Sequence, residues 1–160
     1  MCLSLLPLAS RLAGQGAEKY DTVLVDGSGD LRILTRDGRQ ITPPKDPNQV
    51  AVDKAAISPD HLAVGWLALF PNCCTSYPIP LKLVVYTRGR VYTFVGAGLP
   101  VWRWGFDSTS TQVAFYLETV HGGMGQHYEL RDIQTSRLVA RFEPHDSRPP
   151  PSWVRLIAVP

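Results

Sequence analysis

A degenerate repeat of about fifty residues limits what this chain can build more than any other feature. Pro100-Val101-Trp102 recurs as Pro151-Ser152-Trp153, and Asp37-Gly38-Arg39 recurs as Arg88-Gly89-Arg90. Each copy reads as a few short strands joined by tight turns. The expected fold is therefore all-β and antiparallel. A repeat of this kind specifies architecture and is almost silent on activity.

The strands follow from residue alternation and from the residues that interrupt it. Segments 20–26 and 31–35 alternate apolar and polar around the turn Gly27-Ser28-Gly29, with Leu31 and Ile33 on one face. Asp37-Gly38 is a hairpin signal, and 40–42 is the returning strand. Pro43, Pro44 and Pro47 exclude helix and central strand from the next loop. Segment 49–57 should turn Val50, Val52, Ala55 and Ile57 inward. Segment 62–70 is nearly unbroken in apolar residues, as in a strand buried on both faces. Segments 81–86 and 91–95 form a hairpin around Arg88-Gly89. Segment 101–106 places Trp102, Trp104 and Phe106 on one face. Strands at 112–120, 127–133, 137–142 and 153–159 complete the set, and no helix is expected after residue 17.

Two hairpin types recur. Phe106-Asp107, a polar turn and Val113-Ala114-Phe115 form one copy of the first; Ile57-Ser58-Pro59-Asp60 and Leu62-Ala63-Val64 form a shorter copy. Residues 128–133, a turn at Thr135-Ser136 and Arg137-Leu138-Val139 form the second type. These elements resemble the blades of TolB-like and WD-type β-propeller repeat proteins, most clearly over residues 50–143. The usual turn glycine of the first hairpin is absent from both copies, and no Trp-Asp dipeptide closes a blade. The resemblance implies propeller-like blades of about four strands each, three in all, where a closed propeller usually has roughly four to eight. It therefore implies an incomplete propeller, a homo-oligomer that completes the ring, or a barrel or sandwich from the same strands.

The 160 residues suffice for one domain, expected over 18–160. Residues 1–17 read either as a degraded signal segment, apolar then small but without a positive start, or as a disordered tail. The first reading points to a periplasmic or extracellular protein and the second to a cytoplasmic one. The apolar stretch is too short to span a membrane. With 16 basic and 14 acidic residues, net charge +2, and no basic run, nucleic acid is not an expected partner.

Blade topology would carry the loops 43–49, 71–80, 96–100, 121–126 and 143–151 to one face. Cys73, Cys74, His121 and His127 then form the candidate metal set, for zinc or copper. Tyr77, His121, Met124 and His145 form the candidate binding face. The competing reading of the cysteines is a vicinal disulfide or two free thiols, and that of residues 121–127 is a plain hairpin connection. No catalytic or cofactor-binding residue is assigned; a G-x-S-x-G elbow is absent. Core packing is the expected role of Trp66, Trp102, Trp104 and Trp153.

The functional expectation is a non-catalytic binding or scaffolding module that presents loops to a protein or peptide. The alternatives are a metal- or redox-active exported protein built on the Cys/His cluster, and a hydrolase or lyase on a propeller scaffold.

Overall fold

The computed structural model describes residues 18–144 and 149–157. Eleven strands are found among them, in three antiparallel sheets. Sheet 1 contains β1 (Tyr20–Val25), β2 (Leu31–Thr35) and β3 (Gln40–Ile41) in that order. Sheet 2 contains β4 (Ala51–Ile57), β5 (Ala63–Phe70), β6 (Ile79–Thr87) and β7 (Arg90–Val95). Sheet 3 contains β8 (Val101–Phe106), β9 (Gln112–Leu117), β10 (His127–Asp132) and β11 (Leu138–Phe142). Each sheet is a meander of sequence neighbours, because every connection is short enough to return beside the strand it leaves.

Sheet 2 is the middle layer, and β5 shows why. Successive side chains of a strand point to opposite faces. Ala63 and Leu67 join Leu83, Val85 and Phe94 against Val113, Phe115 and Leu117 of sheet 3. Val64, Trp66, Ala68 and Phe70 join Tyr20, Leu31 and Ile33 of sheet 1. An unbroken apolar run is what a strand with two covered faces requires, as the sequence indicates for this segment. A third cluster covers the far face of sheet 3, where Ala114, Tyr116 and Leu130 meet Trp102, Trp153 and Ile157.

The turns are built by short polar side chains. Gly38 takes φ +84 in the Asp37-Gly38 hairpin, a conformation that glycine adopts without steric cost. The two first-type hairpins manage without glycine: His61 (φ 64) and Ser110 (φ 60) occupy the left-handed region instead. Their neighbours compensate. The buried Ser58 hydroxyl accepts the Ala63 N–H at 2.9 Å and donates to Asp60 at 2.6 Å. Asp107 Oδ1 accepts the N–H groups of Thr111 and Gln112 at 2.9 and 2.8 Å. Such side-chain bonds stand in for backbone pairing in tight turns.

Three expectations are corrected. Residues 152–156 are not a strand but a 3₁₀ helix, Ser152–Leu156, lying against β8 and β9. Pro149, Pro150 and Pro151 precede it, and a chain without those N–H groups is a poor ladder partner. The three aromatic residues of β8 do not share a face. A register shift between Val101 and Arg103 sends Trp102 to the far face of sheet 3, while Trp104 and Phe106 pack towards sheet 2. In β4, Val52, Ala55 and Ile57 do turn inward, but Val50 precedes the strand and is exposed. A bulge between Asp53 and Ala56 restores the inward set. Among the described residues no helix is long and apolar enough to cross a membrane.

Candidate functional site

Strand register brings the longer connections to one end of the layers. Val25 pairs with Leu31, Ala51 with Leu69, Phe70 with Ile79, Lys82 with Val95, and Leu117 with both Val101 and His127. The loops 26–30, 42–50, 71–78, 96–100 and 118–126 therefore leave the same end. Ion pairs tie the 42–50 loop to the 26–30 loop and to β6. Lys45 pairs with Asp30 at 2.7 Å and Lys82 with Asp46 at 2.5 Å. The Asp26 carboxyl is pulled down to about 2, chiefly by the Ser28 hydroxyl and then by the Asp30 N–H.

The glycine-rich connection is a tied turn. Glu118 accepts the Gly123 N–H at 2.9 Å and also bonds the Gln126 amide. These bonds, Gln126 first, hold the Glu118 carboxyl below its ordinary range. Gly122, Gly123 and Gly125 all have positive φ, which the path of this loop requires. Burial, with help from the neighbouring Glu118, pushes the Tyr116 hydroxyl up to about 12.

The proposed metal-ligating residues divide between two environments. Cys73 and Cys74 are exposed in the 71–78 loop, their sulfurs 3.0 Å apart. His121 is exposed on the 118–126 loop. His127 is buried in β10, donating from Nδ1 to the Gly125 carbonyl at 2.6 Å and placing Nε2 3.4 Å from Glu129. Among the described residues no three His, Cys, Asp or Glu side chains gather in a way that would hold a metal ion. Of the binding-face residues, Tyr77 is 52% and Met124 70% exposed, so both are available to a partner. His145 lies outside the described residues, as do Cys2 and the 1–17 segment.

At the opposite end lies a cleft of about 590 Å³ between sheets 2 and 3, which the sequence reading missed. Arg88, Arg90 and Tyr92 line it from sheet 2, with Asp60, Ser110 and Asp132 beside them. Burial acts to raise the Asp60 carboxyl, but hydrogen bonds from Ser58, Leu62 and Ser110 outweigh it and the net shift is downward. The Thr135 hydroxyl and N–H lower Asp132. Asp132 is thus engaged by its own turn, and Asp60 by its own turn and by Ser110 of the β8–β9 turn. Arg88 and Arg90 make no ion pair among the described residues, so the cleft presents cationic groups above an apolar floor of Ala63 and Ile133. The available signal was the pair of arginines flanking a turn glycine, which reads equally as a solvated hairpin tip.

No protein-family model and no curated protein matches the chain.

Proposed function

We propose that this protein is a non-catalytic binding module of propeller-like build, which contacts a protein or peptide partner through its loop end. The supporting observation is that the longer connections leave one end of a rigid stack and carry the exposed Tyr77 and Met124 there. Loops held by a packed scaffold are where recognition residues concentrate, and Tyr and Met are favoured contact residues. The face-to-face stacking of short meanders is in keeping with TolB-like or WD-type blades.

Selection of a displayed peptide library on the purified protein tests the reading. Selected peptides are expected to bind about tenfold or more weakly to the Tyr77→Ser and Met124→Ser variants. Binding that survives both changes but is lost in Arg88→Ala or Arg90→Ala would move the site to the opposite cleft and overturn the proposal.

Association of copies belongs to the same reading. Sheet 1 has one strand fewer than the other sheets, and among the described residues β1 pairs only with β2. An open strand edge is a template for another strand. Light scattering at micromolar concentration is expected to give a mass above the monomer's; a monomer mass would remove this part of the proposal.

A further inference from the structure

We infer that Cys73 and Cys74 form a reversible dithiol–disulfide site, closed by low-molecular-weight disulfides into a ring within one chain. The inference concerns the loop's own chemistry and stands apart from the peptide-binding proposal.

The geometry is not what adjacency by itself provides. In an extended chain neighbouring side chains point to opposite faces. Here the loop turns so that both sulfurs face each other, 3.0 Å apart and exposed. Side chains and prolines hold that turn. The Cys74 N–H donates to Asn72 Oδ1 at 3.2 Å, and Asn72 Nδ2 donates to the Thr75 hydroxyl at 3.1 Å. The Thr75 hydroxyl donates to the Tyr77 carbonyl at 2.6 Å. Pro71, Pro78 and Pro80 restrict the flanks. Holding two reacting groups together replaces an encounter between molecules with a step inside one loop.

The step balances as two exchanges. One of the two cysteines, as thiolate, attacks a small disulfide, forming a mixed disulfide and expelling one small thiolate. The other loses its proton and attacks the loop sulfur of that mixed disulfide, closing the ring and expelling the second. Two electrons and two protons pass from the cysteines to the oxidant, which leaves as two thiols. While both sulfurs are free, ionisation of the Cys74 thiol is opposed first by its hydrogen bond with Cys73 and then by the charge of that sulfur. Once one sulfur is in a mixed disulfide, that opposition is gone. The ring is easily reopened, because Cα atoms joined by one peptide bond lie about 3.8 Å apart, short of the roughly 4.4–6.8 Å of relaxed disulfides. Strained and exposed disulfides are the labile ones.

The full chain carrying Cys2→Ser, which removes the third cysteine, is incubated in glutathione mixtures graded up to wholly oxidised glutathione. Alkylation and intact mass spectrometry follow. The expected product is a monomer lighter by about two hydrogen atoms, with both sulfurs protected from alkylation and restored by dithiothreitol. Separate Cys73→Ser and Cys74→Ser changes should each give one stable glutathione adduct instead. Two stable glutathione adducts on the parent protein, a disulfide-linked dimer, or thiols unchanged in wholly oxidised glutathione would each overturn the inference.

Discussion

Replacing Gly65 with valine is expected to lower the unfolding free energy by about 3 kcal/mol, the upper end for overpacking a core. Gly65 lies in the middle of β5, opposite Ala56 of β4 and Val85 of β6. Its φ is not positive, so the backbone itself accepts a side chain. The space does not. A Cβ there would fall 2.8 Å from Trp104 Cζ3 and closer still to Cη2. The indole has little freedom to retreat. Its N–H donates to the Lys54 carbonyl at 3.0 Å, and its ring meets Phe106 edge-on at a centroid distance of 5.0 Å. The missing side chain of sheet 2 is thus the seat for a tryptophan of sheet 3. Urea unfolding of Gly65→Val, Trp104→Ala and the double variant measures the coupling. The double variant should be clearly more stable than the sum of the single losses predicts, since truncating the indole frees the space that valine needs. Simple additivity would show that the two residues do not share this contact in solution.

Glu129→Ala is expected to cost about 3 kcal/mol, the scale for breaking a buried ionic group on one side only. His127, Glu129 and Arg131 alternate along β10 on the face that Phe115 shares, between sheets 2 and 3. The Glu129 carboxylate accepts Arg131 Nε at 2.7 Å and lies 3.4 Å from His127 Nε2, with its own side chain 8% exposed. Arg131 also donates to the Ser136 carbonyl at 3.2 Å, so it cannot swing freely to solvent when its acid is removed. Glu129→Gln keeps an acceptor for Arg131 and should cost less. The contrast is Glu143→Ala. Arg141 and Glu143 also pair, at 3.0 Å, but both are about half exposed, so a loss of roughly 0.5 kcal/mol or less is expected there. Chemical denaturation of the three variants tests the ranking; equal losses for Glu129→Ala and Glu143→Ala would contradict it.

The parts of the candidate site were unequally legible. Cys73 and Cys74 announce themselves by adjacency, and the loops that hold Tyr77 and Met124 are marked by proline and glycine. The separation of His127 from the cysteines was not legible. His127 begins a strand and points into the layer beside Glu129, whereas His121 stays on the exposed loop; the sequence shows two histidines near a glycine run and no more. The cleft of Arg88 and Arg90 was hidden for a similar reason. A hairpin tip becomes a cleft wall only when another sheet stands opposite it.

Local chemistry in the sequence determined the strands and most of their turns. Alternation marked β2, the apolar run marked β5, and Asp37-Gly38 marked a hairpin, because each depends on neighbours within a few residues. Tertiary structure decided which face is inside and which segments remain strands. Bulges in β4 and β8 reset the alternation, sending Trp102 and Trp104 to opposite sides of sheet 3. The C-terminal 3₁₀ helix packs closely over β8 because Gly105 leaves the room: a Cβ there would approach Ile157 Cγ2 to 3.1 Å and the Leu156 carbonyl oxygen to 3.2 Å. A one-residue bulge or a docking glycine leaves the composition of a segment almost unchanged. It acts through the shape of a partner surface that exists only after the sheets have stacked.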